Sequence, residues 1–121
     1  ALLDSASALL ISSGEFYSIV HTGSGSANIY MMQDGSLVLR LEGFEVEDGP
    51  DLHVYLATQD PVPNAQGSPL EGSVDLGELL GLVGDQVYQL PEGLDLQNYP
   101  SVVIWCVPFN VPFTGASLQS Q

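Results

Sequence analysis

The sequence predicts an all-β protein, an antiparallel β-sandwich or flattened barrel of about seven to ten short strands. Several runs alternate between apolar and polar residues, which is the period of a half-buried strand. Thirteen glycines and eight prolines, with Asn and Asp, separate these runs as turns. The 121 residues, 45% of them hydrophobic, suffice for one domain with its own core.

The clearest element is a hairpin around Asp34 and Gly35. Residues 27–33 and 36–42 alternate on either side of this dipeptide, which favours a two-residue type I′ turn. The turn predicts the pairs Met32 with Leu37, Tyr30 with Leu39 and Asn28 with Leu41. Positions 37, 39 and 41 are all leucine, so this face of the second strand is expected in the core and the Arg40 face in water.

Four further strands follow the same pattern. They are predicted at residues 16–21, 51–57, 86–90 and 102–107. In the second of these, Leu52, Val54 and Leu56 share the apolar face. The last one is apolar on both faces, which is typical of a central strand with cover on both sides.

The connections are predicted from Gly and Pro. Residues 58–73 read as a polar, Pro-rich loop, and a short helical turn is expected near 76–82. We find no internal repeat. One domain is expected over 14–118, with an N-terminal extension or edge strand at 1–13 and a tail at 119–121. The apolar segment Leu9–Ile11 suits an edge strand on this sheet or on a neighbour's, so it is a candidate for assembly.

The C-terminal tail of the domain contains two prolines. Pro108 and Pro112 cannot donate to a β-ladder, so the chain after Val107 is expected to bulge, bend or follow an edge. The face that stays directed to the core in this tail is expected to hold Phe109, Val111 and Phe113.

The charge excludes some classes of partner. The chain has 15 acidic residues, a single basic residue, Arg40, and a net charge of −14. Nucleic acid and anionic membrane surfaces attract Lys and Arg, so both are disfavoured. Such a surface suits an extracytoplasmic location and a protein partner or redox partner that is cationic. No apolar run is long enough for a transmembrane segment.

Metal-binding candidates are few. The two histidines, His21 and His53, are expected at polar strand positions, and no His or Met follows Cys106, which disfavours a blue-copper loop. The acidic stretch 45–51 offers oxygen ligands for calcium, or is simply an exposed acidic turn. Its acidic members are Glu45, Glu47, Asp48 and Asp51. We identify no other cofactor and no nucleotide or serine-hydrolase motif, so the sequence favours a module without enzymatic turnover.

Cys106 is the only cysteine and follows the only tryptophan. Alternation places Cys106 on the face of Val102 and Ile104, away from Trp105. Burial and the negative charge of the chain both favour the neutral thiol over the reactive thiolate. The residues alone therefore favour an inert core cysteine.

Several segments, taken in order, resemble the DM-thirteen domain. The most specific are Gly-Pro-Asp at 49–51 leading into a strand, the pattern Gly-Asp-Gln-x-Tyr-x-Leu-Pro at 84–91, and Trp-Cys at 105–106 before a Phe-x-Val-x-Phe tail. The resemblance covers residues 14–118. It implies a β-sandwich-like extracellular module that takes part in electron transfer. It also marks Cys106 of the Trp105-Cys106 pair as the redox residue, and His21 matches the family's early histidine.

Two functions remain open from the sequence. In a redox module, Cys106 cycles through a sulfenate or a mixed disulfide, or contacts a redox partner. In a non-catalytic module for surface binding, scaffolding or assembly, Cys106 is core packing. A calcium-linked form of the second function rests on the acidic stretch 45–51.

Overall fold

Alternating apolar residues and Gly-rich turns give a fold made almost wholly of strands. The computed structural model describes residues 8–66 and 71–121. The strands in these ranges are β1 (Ala8–Ser18), β2 (Gly23–Met32), β3 (Leu37–Val46), β4 (Leu52–Ala57), β5 (Val74–Glu78), β6 (Gln86–Gln89), β7 (Ser101–Cys106), β8 (Val111–Ser117) and β9 (Gln119–Ser120). The all-β prediction is confirmed.

Helical structure is minimal. The described ranges contain one short 3-10 turn, at Leu96–Asn98. It does not lie near 76–82, because residues 74–78 pair with β4 as β5. Among the described residues, no helix has the length and apolar character that crossing a membrane requires.

All the strand pairs are antiparallel, and they form one nearly closed, barrel-like sheet. The strand order is β5-β4-β7-β8-β1-β2-β3-β6, with β9 beside β1. Strand β1 joins the two halves of this sheet, since residues 8–15 pair with β2 and residues 16–18 pair with β8. A bulge between Leu10 and Ser12 shifts the register of β1 before the change of partner.

The opposite side is closed by the chain that leaves β5. Here the N–H of Leu79 donates to the carbonyl of Leu52 at 2.8 Å, and that of Gly84 donates to the carbonyl of Phe44 in β3 at 2.8 Å. Residues 79–84 therefore run from the end of the β4–β5 ladder to the part of β3 that β6 leaves uncovered.

Two polar side chains hold this connection in place. The hydroxyl of Tyr88 donates to Gln86 Oε1 and accepts from the N–H of Leu80 at 2.9 Å. The amide nitrogen of Gln86 donates to the carbonyl of Gly81 at 2.9 Å. Both side chains belong to buried residues, so these bonds satisfy groups that would otherwise be costly to bury.

The core has two parts, one on each face of β7. The inner cluster fills the barrel and includes Val102, Ile104 and Cys106 of β7. The outer cluster is smaller. Its buried members are Ala57, Val62, Val103 and Trp105. The prediction of a central strand covered on both sides is confirmed.

The register predicted for the hairpin is wrong by one residue. The observed pairs are Met31 with Leu37, Tyr30 with Val38, Ile29 with Leu39, Asn28 with Arg40 and Ala27 with Leu41. A one-residue slip exchanges the two faces of a strand. It brings Ile29 and Ala27 into the core opposite the leucines, where the predicted register had Tyr30 and Asn28.

The turn explains the slip. Met32 N–H donates to the carbonyl of Ser36 at 2.8 Å, so the loop has three residues rather than two. Gly35 has φ of +87°, but Asp34 does not have the positive φ that a type I′ turn needs at its first central residue. Instead, the Asp34 carboxylate accepts from the N–H and the hydroxyl of Ser36, which stabilises the longer loop.

The other strand predictions fare better. The strands predicted at 51–57, 86–90 and 102–107 correspond to β4, β6 and β7. The strand predicted at 16–21 ends earlier, at Ser18, and begins at Ala8. Residues 8–13 thus form the first half of β1, while residues 1–7 of the predicted N-terminal extension lie outside the described ranges.

The tail prediction is right about the bulge and wrong about Phe109. The register of β7 with β8 shifts between Ile104 and Trp105, opposite Pro112. Phe109 is 62% exposed, because residues 107–110 leave the ladder in a turn that ends at Asn110 with φ of +58°. The ladder resumes at Val111, and Phe113 is buried in the core as predicted.

The crossing of β1 past the end of β8 generates the first testable prediction. A Cβ on Gly14 would collide with the backbone carbonyl of Ser117, whereas one on Gly81 would meet nothing closer than 3.8 Å. Gly14→Ala should lower the free energy of unfolding by about 1–3 kcal/mol. Gly81→Ala, the control, should change it by less than about 0.5 kcal/mol. Urea unfolding followed by circular dichroism measures both, and equal stabilities would contradict the close approach.

Candidate functional site

Cys106 lies at the end of β7, beneath the turn of residues 49–51. Its partners in the neighbouring strands are Leu52 of β4 and Val111 of β8. The side chain is fully buried in the inner cluster. The thiol donates to the carbonyl oxygen of Pro50, with Sγ 3.3 Å from that oxygen. The turn therefore forms the cover of the thiol.

A backbone hydrogen bond also holds this turn against the end of β7. Val107 N–H donates to the carbonyl of Asp51 at 3.2 Å. Asp51 has φ of +49°, a left-handed conformation that L-residues other than Asn, Asp and Gly rarely adopt. This conformation turns the chain from the cover directly into β4.

Trp105 lies on the opposite face of β7 from Cys106, as alternation predicts. Its indole Nε1 donates to Oδ1 of Asn110 at 3.3 Å. Val62, in the loop after β4, packs against the tryptophan ring. The Trp-Cys pair thus contributes one residue to each part of the core. The two side chains do not form a joint site.

His21 lies outside the ladders, just after β1. Its ring centroid is 4.1 Å from that of Phe113, and Nδ1 is 3.6 Å from Oε1 of Glu47. The same carboxylate accepts from the N–H of Thr22 at 2.6 Å, and this hydrogen bond lowers the pKa of Glu47. His21 is therefore held against a core aromatic ring with one face open to solvent.

The structure does not group the four acidic candidates for calcium. Glu45 lies in β3, beside Val83. Glu47 accepts a hydrogen bond from Thr22. Asp51 is hydrogen-bonded to His53 rather than to the other acidic residues of the stretch. Glu45, Glu47 and Asp51 therefore have different surroundings.

A different set of ligand-type side chains converges on the outer face of β4 and β5. The ligand atoms of Asp51, His53 and Glu78 all lie within 4.8 Å of one another. His53 Nε2 is 3.0 Å from Asp51 Oδ1, and its Nδ1 is 3.1 Å from both oxygens of Asp75. Sequence reasoning missed Asp75 and Glu78, because they reach His53 only through the pairing of β4 with β5.

The surroundings of His53 shift the pKa of its imidazole. Partial burial by itself lowers the pKa, but the hydrogen bonds and negative charges of Asp75 and Asp51 outweigh it, so the pKa of His53 is raised above its usual value. Burial, and then the same two carboxylates, raise the pKa of Tyr55. In both cases the carboxylates of Asp75 and Asp51 contribute to the higher pKa.

A cleft of about 390 Å³ opens beside this cluster. It lies between the 48–52 segment and the chain that follows β5. Its lining residues are Asp48, Gly49, Asp51, Leu52, Glu78, Leu79, Leu80, Gly81 and Leu82. The cleft is acidic on one side and apolar on the other, and Leu80 is 69% exposed at its edge.

A family model described as Electron transfer DM13 matches residues 15–118 of the chain. The chain belongs to the DM13 family. The DM-thirteen resemblance is thereby confirmed, and the chain is an electron-transfer-related module. No curated protein and no solved structure matches it.

The motif segments of this DM13 domain have clear structural tasks. The 49–51 segment covers Cys106, and Gln86 and Tyr88 of the 84–91 segment hold the connection after β5. Asp85, from the same segment, accepts from the N–H of Gly43 at 2.8 Å and from the guanidinium of Arg40 at 2.9 Å. The first segment lines the cleft with Gly49 and Asp51, and the second bonds to residues 80 and 81, which line it.

The second prediction concerns His53 in metal-free buffer. Removing the charge of Asp75 with Asp75→Asn should lower the pKa of the His53 imidazole, as measured by NMR titration. Asp48→Asn is the control, since Asp48 lines the cleft without bonding to His53. An unchanged pKa in Asp75→Asn would contradict the observed contact.

The same shift affects stability with a definite sign. Because the folded-state pKa of His53 is raised from 6.5, its contribution to the free energy of unfolding is complete below pH 6.5 and is lost as the pH rises through the folded-state value. Asp75→Asn should reduce this pH-dependent part.

Proposed function

We propose that this DM13 domain is an extracytoplasmic electron-transfer module whose redox group is the thiol of Cys106. The observation that carries the proposal is the position of this thiol. It lies at the end of β7, one backbone segment below the surface, and its hydrogen-bond acceptor is the carbonyl of Pro50 in the exposed turn. Displacing a single turn would expose the sulfur without opening the rest of the barrel.

The chemistry open to one cysteine is thiol–disulfide exchange between two partners. The exposed thiol loses its proton to solvent, and the thiolate attacks a disulfide of an oxidised partner. A Cys106–partner S–S bond forms, the partner's own S–S bond breaks, and its other sulfur leaves as a thiolate with the electron pair. A donor dithiol then attacks at Cys106 and releases the partner's second thiol.

The second thiol of the donor completes the cycle. It attacks the donor sulfur of the mixed disulfide, which closes the donor's disulfide and returns the Cys106 thiolate, and a proton from solvent restores the thiol. Overall, two electrons and two protons pass from the donor dithiol to the partner disulfide, and Cys106 is unchanged.

Charge supports the location and the type of partner in this proposal. The net charge is −14, and Arg40, the one Lys or Arg residue, is paired with Asp85 at 2.9 Å. Such a surface attracts a cationic partner and speeds its association at low salt. Disulfides persist mainly in extracytoplasmic compartments, so exchange chemistry and an extracytoplasmic location are consistent with each other.

The third prediction tests access to the thiol. An aromatic disulfide reagent should react slowly with the native protein and several-fold faster with Pro50→Gly, because glycine loosens the turn over Cys106. Pro91→Gly, which alters an exposed proline outside the cleft, should react like the unaltered protein. Release of the coloured thiolate gives the rate in each case.

The outcome that would overturn the proposal is equally defined. If native protein reacts only at its rate of global unfolding, measured by circular dichroism in the same buffer, and Pro50→Gly reacts like Pro91→Gly, the turn does not give access to Cys106. The thiol is then not the redox group.

Full burial of Cys106 favours a second function, a non-catalytic binding or assembly module in which this residue is core packing. The side chain is enclosed by the inner cluster, and its neighbours there include Leu52 and Val111. The acidic surface and the apolar edge of the cleft would then bind a cationic partner, without a redox step.

The fourth prediction separates the two functions. Cys106→Val should fold, with a free energy of unfolding lower by about 1–2 kcal/mol. The redox function requires that this variant lose exchange with a disulfide partner while still binding it. Retained activity in a folded Cys106→Val variant would contradict the redox function, and lost partner binding would contradict the packing function.

A further inference from the structure

We propose that Asp51, His53 and Glu78 form a binding site for a divalent transition-metal ion of the zinc class, on the outer face of β4 and β5. The observation that carries it is the convergence of one imidazole nitrogen and two carboxylates, with ligand atoms within 4.8 Å of one another. The site does not depend on Cys106, so this inference does not rest on the proposed redox function.

The register of the sheet builds the site. His53 is the direct cross-strand partner of Glu78, which places their side chains on the same face. Asp51 precedes His53 by two residues, and its carboxylate already reaches Nε2 at 3.0 Å. The ligands therefore come from the paired strands β4 and β5 and from the turn that leads into β4.

A bulge supplies the group that orients the imidazole. The register of β4 with β5 shifts between Val54 and Tyr55, and Gly77 has φ of +113°. Gly77 N–H donates to Asp75 Oδ1 at 2.8 Å, which fixes this carboxylate beside Nδ1 of His53. When Nδ1–H donates to Asp75, Nε2 carries the lone pair that faces Asp51, and carboxylate–histidine–metal sites have this arrangement.

The donor set selects the class of ion. Imidazole suits zinc, copper and nickel, whereas calcium takes oxygen ligands. A tetrahedral zinc ion with bonds of about 2.0–2.2 Å needs ligand atoms roughly 3.4 Å apart. Asp51 and His53 nearly meet this spacing at 3.0 Å, and an oxygen of the exposed Glu78 side chain lies within 4.8 Å of both ligand atoms. A fourth position would be open to water.

Electrostatics favours a cation here. Three carboxylates surround His53, in a chain whose net charge is −14. A bound divalent ion would relieve their mutual repulsion. The other histidine provides a contrast, since His21 has Glu47 at 3.6 Å but belongs to no three-ligand set within the described residues.

The fifth prediction is tested by titrating chelator-treated protein with Zn²⁺ in a calorimeter. The unaltered protein should bind one ion saturably. Asp51→Asn, His53→Gln and Glu78→Gln should each weaken binding at least tenfold, and Asp75→Asn by about 10–100-fold. His21→Gln is the matched control and should bind like the unaltered protein. Circular dichroism of the metal-free variants checks that each is folded.

NMR provides a second readout that does not depend on the variants. Zn²⁺ should shift the ring signals of His53 and leave those of His21 in place. Absence of saturable Zn²⁺ binding, equal shifts of both histidines, or unchanged affinity in folded Glu78→Gln would overturn the proposal. Binding of Ca²⁺ in preference to Zn²⁺ would also overturn it, because it would indicate oxygen ligands without His53.

Discussion

The sharing of β1 between two half-sheets is the constraint on which the rest of this DM13 domain depends. Residues 8–15 belong to the ladder with β2, and residues 16–18 belong to the ladder with β8. The change of partner requires the backbone of β1 to approach the backbone of β8 closely. Gly14 allows this approach, because it has no Cβ to collide with the carbonyl of Ser117. The inner core, which both half-sheets enclose, exists because this strand holds them together.

The segment from Pro50 to His53 makes contacts on both sides of the barrel wall. The carbonyl of Pro50 accepts the Cys106 thiol on the inside, while the carboxylate of Asp51 bonds to His53 on the outside. A movement of the turn that releases the thiol would therefore also disturb the imidazole. Metal binding at the proposed outer site would thus be coupled to access to the inner sulfur through three consecutive peptide units.

Local alternation was enough to predict most of the strands, because a strand with one buried face has an apolar residue at every second position of its sequence. It placed Cys106 and Trp105 on opposite faces of β7 correctly. It could not predict the hairpin register, because the three-residue loop is stabilised by hydrogen bonds from the N–H and the hydroxyl of Ser36 to the Asp34 carboxylate. The His53 cluster was also out of reach, because Asp75 lies 22 residues away and is turned toward the imidazole by a bulge.

The place of the single tryptophan has a spectroscopic consequence. Trp105 is separated from the barrel interior by β7 itself, and its contacts include Asn110 and Val62, which lies in the loop after β4. Its fluorescence therefore reports how firmly Val62 and the loop residues next to it pack on the outside of the sheet. A melting curve recorded from tryptophan emission therefore reports unfolding of the barrel interior only if the loop and the barrel unfold together.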